Sequence, residues 1–385
     1  MSSEPMIYLD HAAATPPSSG VLAVMQPYFT DRFYNPSSPY APAVEVRRDY
    51  EAAKQRIAEV LGVKKDELVM TAGATESINL AFSAVSGHVV MSDIEHHAVL
   101  RAAEQHEYTL AHADAKGIVS AEAVAQALRP DTTLVSIALV NNELGTVQPI
   151  RKIAAVIEAE RARRQDAGEK TPIYFHSDGS QAAGFLDLHA KKLGLDMLTL
   201  NAAKMYGPKQ VGLLWAATHV TLTPQIVGGG QERGLRSGTE NVAGTIGMAE
   251  ALVRVDKRRV SETKRLQHLR DLLQHKLEST FPDAVVSGDL RHRLSNFLHI
   301  SFPGLDAERL IFALEARGVL LATGSACAAN QGTRSHVLTA IGLLPEVADG
   351  SLRMSLGKLS NEDNIERAAA IITEEIQREY ARMQK

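Results

Sequence analysis

Three segments of this chain place chemically useful residues where a fold can use them. Thr71-Ala72-Gly73-Ala74-Thr75-Glu76-Ser77 joins a predicted strand to a predicted helix. Small residues at the turn leave backbone N–H groups and the positive end of the helix dipole aimed at an anion, most naturally a phosphate. The plainer alternative is a capped helix, with Thr75 as N-cap and Glu76 in the first turn. The second segment, His176-Ser177-Asp178-Gly179-Ser180-Gln181, sets a carboxylate at a strand end, and by itself Asp178 would be a helix cap. The third, Asn201-Ala202-Ala203-Lys204-Met205-Tyr206-Gly207-Pro208-Lys209, sets a lysine before a Gly-Pro turn, and by itself Lys204 would be a surface charge. The carboxyl ends of strands are where open α/β sheets bind ligands. An amine, a carboxylate and a phosphate cradle at that edge are the parts a pyridoxal phosphate site requires. The amine forms a Schiff base and the carboxylate keeps the pyridine nitrogen protonated.

Cys327, the only cysteine, lies in Ala322-Thr323-Gly324-Ser325-Ala326-Cys327-Ala328-Ala329-Asn330-Gln331-Gly332-Thr333-Arg334-Ser335-His336. Small and polar residues without apolar periodicity predict a mobile surface loop. A lone cysteine is most often an inert buried hydrophobe, but this loop offers no core to bury it. Attack on sulfur needs a thiolate, and a moving loop can carry one into a pocket and deliver its cargo outside.

Short apolar runs at 67–71, 88–92, 133–140, 173–178, 197–201 and 211–215 read as buried strands. Between them lie helical stretches such as 75–85, with Ile78, Phe82 and Val85 on one stripe. This alternation predicts a mostly parallel sheet between helix layers. A helix over 150–168 is expected to end in a solvated charged run, Arg163-Arg164-Gln165-Asp166. From residue 241 a long helix through Ala249, Leu252, Leu266, Leu269, Leu273 and Leu277 stops at Pro282. Strands near 296–302 and 351–355 and a closing helix from Asn361 follow. They predict a smaller α+β domain of residues 1–14 and 256–385 beside a large domain over 15–255. No repeat or low-complexity tract appears.

The 385 residues are 45% hydrophobic, and 41 basic against 45 acidic residues leave a formal charge of −4. The length suits two or three domains, and the balance lacks the basic face that non-specific nucleic-acid binding needs. Neither a Walker A loop nor a Rossmann fingerprint is present. No secretory signal or bilayer-length apolar stretch occurs, and one cysteine cannot form an internal disulfide. A reducing cytoplasm is the expected compartment.

Six motifs occur in order: Asp10-His11-Ala12-Ala13-Ala14-Thr15-Pro16, Gly73-Ala74-Thr75-Glu76-Ser77, Glu95-His96-His97-Ala98-Val99-Leu100, Val140-Asn141-Asn142-Glu143-Leu144-Gly145, Arg236-Ser237-Gly238-Thr239 and Gly324-Ser325-Ala326-Cys327. The set resembles the cysteine desulfurases, in the class V branch of fold-type I pyridoxal phosphate enzymes. The resemblance implies a large domain with a mostly parallel seven-stranded sheet between helices, and a smaller α+β domain that carries the cysteine loop. It also implies that pyridoxal 5'-phosphate is bound covalently by Lys204. Asp178 would pair with the ring nitrogen, Gln181 with the phenolic oxygen, and His96 would stack on the ring. Ala74, Thr75 and Asn201 would hold the phosphate, with Thr239 reaching in from the second subunit of a homodimer. Asn142, beside the cofactor, and Arg353 match the substrate-carboxylate positions, for which a planar guanidinium fork is suited.

The implied activity converts L-cysteine to L-alanine and leaves a persulfide on Cys327, with Lys204 moving the Cα proton and His96 the thiol proton. The sulfur would pass to an acceptor protein for iron-sulfur cluster assembly or tRNA thiolation, and no direct nucleic-acid or membrane contact is expected. No metal site is expected, unless Cys327 serves as a shared iron-sulfur ligand with a scaffold partner. Alternatives are a selenocysteine lyase, a class V aminotransferase, or a non-catalytic sulfur-trafficking partner. Three features depart from the family pattern: Ala203 replaces the histidine usual before the lysine, the stretch over 148–173 is longer, and the chain stops at Lys385 without the tail that housekeeping members use on the scaffold.

Overall fold

Continuous apolar strands need cover on both faces, and the sheet that carries the candidate residues has it. The structure is a computed structural model that describes residues 6–324 and 334–384. Its strands are β1 (Ile7–Tyr8), β2 (Leu68–Thr71), β3 (His88–Ser92), β4 (Tyr108–Ala111), β5 (Thr132–Ser136), β6 (Tyr174–Asp178), β7 (Met197–Asn201), β8 (Gly212–Ala216), β9 (Val285–Val286), β10 (Phe297–Ser301), β11 (Val319–Leu320) and β12 (Ser351–Ser355). The helices that matter most here are α1 (Ala41–Leu61), α2 (Ala74–Phe82), α3 (Ile150–Asp166), α4 (Val242–Thr280) and α5 (Glu362–Met383).

Seven strands form the main sheet in the order β2-β8-β7-β6-β5-β3-β4. Only β8 runs against its neighbours β2 and β7; the pairs from β7 to β4 are parallel. Successive side chains go to opposite faces. Val90, Val135, Phe175, Leu198, Leu213 and Trp215 pack with α1, α3 and the first half of α4. Val89, Met91, Leu134, Met197 and Leu214 pack with α2 on the other side. Thr71, Ser92, Ser136, Asp178 and Asn201 therefore end their strands at one edge.

The helix α4 runs 39 residues, about 58 Å at 1.5 Å per residue. It ends at Phe281, where Pro282 disfavours a further helical residue. Its first half belongs to the sheet's core, whereas Leu266, Leu269, Leu273 and Leu277 enter a separate core with β10, β12 and α5. Ile7 and Leu9 join that second core, because β1 pairs in parallel with β11.

Local differences from the sequence reading have physical causes. The strand expected over 133–140 pairs regularly only to Ser136, yet the Ile137 and Leu139 amides still donate to the His176 and Asp178 carbonyls. The run thereby continues beside β6 into the site. The charged end of α3 is not wholly solvated. Arg163 is exposed and pairs with Glu160 and Glu169, but Arg164 is buried, donating to the Thr132, Thr171 and Arg129 carbonyls. The reading of Thr75 as N-cap also fails: Gly73 holds that position and α2 begins at Ala74. Gly73 stands at φ 154°, and a Cβ on Gly212 would lie 2.6 Å from its backbone. Two glycines thus let the turn before α2 lie directly on β8.

Candidate active site

At the carboxyl edge of the sheet a cavity of about 210 Å³ is lined by Ala12, Ala13, Ala74, Thr75, His96, Ala138, Val140, Asn142, Asp178, Ser180, Gln181, Asn201, Lys204 and Arg353. Residues from seven separate stretches of chain meet there. Among the described residues, every site residue expected from the sequence lines it except Thr239.

The lysine is fixed by its own loop. Asn201 Oδ1 accepts from the Ala203 amide at 3.1 Å and caps the single 3₁₀ turn that carries Lys204. Tyr206 then adopts φ 62°, a left-handed conformation that a tyrosine rarely occupies. The Thr15 hydroxyl, which accepts from the Tyr206 amide at 2.7 Å, holds it there. Lys204 Nζ donates to the carbonyls of Ala12 and Ala13 at 2.8 and 2.7 Å. Those two carbonyls had no role in the sequence reading, although the motif that contains them was conspicuous.

Asp178 Oδ1 accepts from the Ser180 amide at 2.9 Å, which orients the carboxylate and leaves Oδ2 for a cavity ligand. Gln181 Nε2 donates to the Ala12 carbonyl at 3.0 Å. The α2 terminus presents the amides of Ala74, Thr75 and Glu76, which no preceding helical turn can satisfy. Asn201 spends only its oxygen on the turn, so its amide N–H₂ remains toward the cavity.

His96 caps the helix His97–Ala103, and its Nδ1 accepts from the Ala98 amide at 3.1 Å. The neutral ring therefore carries its proton on Nε2. Burial lowers the His96 pKa, Asp178 opposes that, and Lys204 and His336 add to it. Beside it, Glu95 is wholly buried, and burial pushes its carboxyl up to about 8 despite bonds from the Ser92 hydroxyl and the Ala138 amide. Glu95 joins the loop after β3 to the run after β5, and so sets His96 opposite Ala138. Asn141 ties these loops as well: its Nδ2 donates to the Ile94 carbonyl, and its Oδ1 accepts from the Glu143 and Leu144 amides. Asn141 and Glu95 are the positioning residues that the sequence reading quoted in motifs without assigning a task.

Arg353 enters from β12. Its Nη1 donates to the Asn142 carbonyl at 3.1 Å, and its Nη2 pairs with Asp10 at 2.8 Å. Through its backbone, Arg353 exchanges two hydrogen bonds with Ala322, three residues before position 325. Cys327 lies outside the described residues. On the far side of that stretch, the Ser335 hydroxyl donates to buried Glu143 at 2.6 Å. Thr239 is exposed and does not line the cavity of its own chain.

The comparisons with known proteins agree on one relationship. The model of the aminotransferase class-V family matches residues 7–368. A relative from Clostridium botulinum named cysteine desulfurase IscS is 36% identical over 374 residues, covering 94% of this chain and 91% of its own. Among solved structures, a NifS-like protein superposes with a TM-score of 0.87 at 30% identity, covering 97% of this chain and 99% of its own. A structure described as SspA in complex with cysteine gives a TM-score of 0.77 at 34% identity, covering 91% and 98%. With four of the six motifs meeting at one cavity and relatives matching over nearly the whole chain, the chain belongs to the aminotransferase class-V family, within its cysteine desulfurases.

Proposed function

We propose that this protein is a pyridoxal phosphate-dependent cysteine desulfurase that converts L-cysteine to L-alanine and collects the sulfur as a persulfide on Cys327. The observation that carries the reading is that Lys204, Asp178 and the α2 terminus open on the same cavity. The donor set suits a phosphorylated pyridine aldehyde. The α2 amides, Thr75 and the Asn201 amide would hold the phosphate, Asp178 the ring nitrogen, Gln181 the phenolic oxygen, His96 the ring face, and Lys204 the aldehyde carbon. Ser180 adds a buried hydroxyl without a protein partner in the cavity wall. Ala203 has no polar side chain to offer a phosphate.

When bound, the cofactor supplies an electron sink for charge at the substrate Cα. The chain's own residues do the rest. Arg353 and Asn142 bind the substrate carboxylate and so aim Cα at Lys204. The lysine amine takes the Cα proton and returns one later in the cycle. His96, neutral with its proton on Nε2, donates a hydrogen bond to the substrate thiol sulfur and orients it, and that sulfur keeps its own proton as the persulfide forms. The Cys327 thiolate attacks that sulfur; an S–S bond forms, the C–S bond breaks with its electrons left on carbon, and protonation there completes L-alanine. Thr239 would complete the phosphate site of a second copy in a homodimer, and residues 1–14 and 256–385 would act as the unit that carries Arg353 and Cys327. The persulfide suits transfer to an acceptor protein in the cytoplasm. Among the described residues no helix is long and apolar enough to cross a membrane.

The test is turnover by the cofactor-loaded protein. L-Cysteine should yield L-alanine, with one alanine for each sulfur released. Faster turnover of selenocysteine, or alanine formed only from an amino donor and a keto acid, would overturn the assignment.

A further inference from the structure

Arg353 is a cation with little access to water, its side chain 3% exposed. The β10–β12 register sets it opposite His299. Burial, with the guanidinium's own charge as the second cause, pushes the His299 imidazole down to about 3, so this neighbour is neutral and supplies no counter-charge. A buried cation is costly unless it is paired and hydrogen-bonded. Among the described residues the pairing carboxylate is Asp10, at 2.8 Å from Nη2, and the Asn142 carbonyl takes Nη1. Two acceptors from different loops, on different nitrogens, fix the plane of the guanidinium. They use two of its five N–H groups, and the buried Nε–H has no protein partner.

Asp10 is itself held firmly. Its carbonyl accepts from the Tyr8 hydroxyl at 2.8 Å. The next two residues are fastened to β12, the His11 amide on the Ser355 carbonyl at 3.1 Å and the Ala12 amide on Ser355 Oγ at 2.8 Å. The Ala12 carbonyl then accepts from both Lys204 Nζ and Gln181 Nε2. One four-residue stretch, 10–13, thus sets the arginine at one end and the lysine and glutamine at the other.

We propose that Asp10 is a positioning residue for substrate binding: it holds the Arg353 guanidinium so that the remaining N–H groups face the cavity, and keeps that fork in register with Lys204 through residues 10–13. This rests on the desulfurase reading, in which Arg353 grips an amino-acid carboxylate. Without Asp10 the guanidinium keeps its charge but loses its orientation, so the loss should fall on binding and not on the chemical step.

The test uses the cofactor-loaded enzyme and two ligands that share a carboxylate, L-cysteine as substrate and L-alanine as a thiol-free ligand. Asp10→Asn keeps an acceptor oxygen and removes the charge. It should raise the KM for L-cysteine and the dissociation constant of L-alanine about tenfold each, the worth of one charge-assisted contact, with kcat within about twofold. Asp10→Glu, which retains the charge on a longer arm, should recover part of the loss, and the cofactor absorption band should be native in both. An Asp10→Asn enzyme that binds L-alanine like the parent, or that loses kcat at unchanged KM, overturns the proposal. Failure of the parent to make alanine from L-cysteine instead overturns the functional reading, and the two L-alanine dissociation constants still judge Asp10.

Discussion

Lys204 donates to two backbone carbonyls, contacts whose acceptor atoms no side-chain substitution deletes. Lys204→Ala should abolish covalent cofactor capture, seen as loss of the protein-bound absorption band, and lower kcat on the order of 1,000-fold. An unchanged band would remove the lysine from its role. Asp178→Ala should leave the lysine-bound cofactor but withdraw the charge opposite the ring nitrogen, lowering kcat on the order of 100-fold at similar cofactor stoichiometry. A loss of stoichiometry with native kcat per bound cofactor would assign Asp178 to affinity alone. Glu95 gives a prediction read in stability. Its ordinary value is 4.5 and its folded value about 8, so between those values the folded protein holds a proton that the unfolded chain releases. Stability therefore falls as pH rises through that window and levels off above it. Glu95→Gln, neutral at every pH, should flatten that slope; denaturant midpoints from pH 5 to 9 that fall as steeply as in the parent would contradict the assignment.

At the scale of elements, strand ends and loops place the site, and here the sequence was informative unevenly. Strands with both faces buried, such as β3 and β7, announce themselves as apolar runs with a polar residue at the end, whereas β6 is polar from His176 onward; Asp178 and Asn201 work at the ends of β6 and β7. The edge strand β4 has only Ala111 fully buried, so Tyr108-Thr109-Leu110-Ala111 lacks such a run, and the sequence reading had no strand there. The helix α1 also went unread, because Val46, Tyr50, Ile57 and Leu61 form a thin stripe among charges and alanines. Its buried Lys54 pairs with Glu232, and the Tyr50 hydroxyl donates to the same carboxylate; such a bond between residues far apart in sequence leaves no local pattern. Arg164 was misread for the same reason, since only the fold shows the three carbonyls waiting for it. The α2 terminus carries its own prediction. Thr75→Ala removes a hydroxyl but spares the backbone amides, so cofactor affinity, titrated by fluorescence on the apoprotein, should weaken about threefold to tenfold. A loss of several hundredfold would place the phosphate grip on the side chain instead of the helix end.

On the scale of the whole molecule, α4 spans two cores. Its first half braces the sheet that carries Lys204 and Asp178, and its second half supports β10 and β12, which bring Arg353 over the same cavity. Residues 6–15 close the arrangement by pairing with the C-terminal strands and then crossing to the lysine loop. Motif order in the sequence was enough to name the parts of the site, but not this crossing, because Asp10 and Arg353 are separated by nearly the whole chain. The central claim joins both halves: sulfur released over Lys204 must end on Cys327. Intact-protein mass spectrometry after a single turnover with L-cysteine tests this most directly. The account predicts the added mass of one sulfur atom on the peptide containing Cys327, matched by one L-alanine, and no added mass in Cys327→Ala. Stoichiometric alanine with that cysteine unmodified, or the same sulfur adduct in the Cys327→Ala protein, would contradict it.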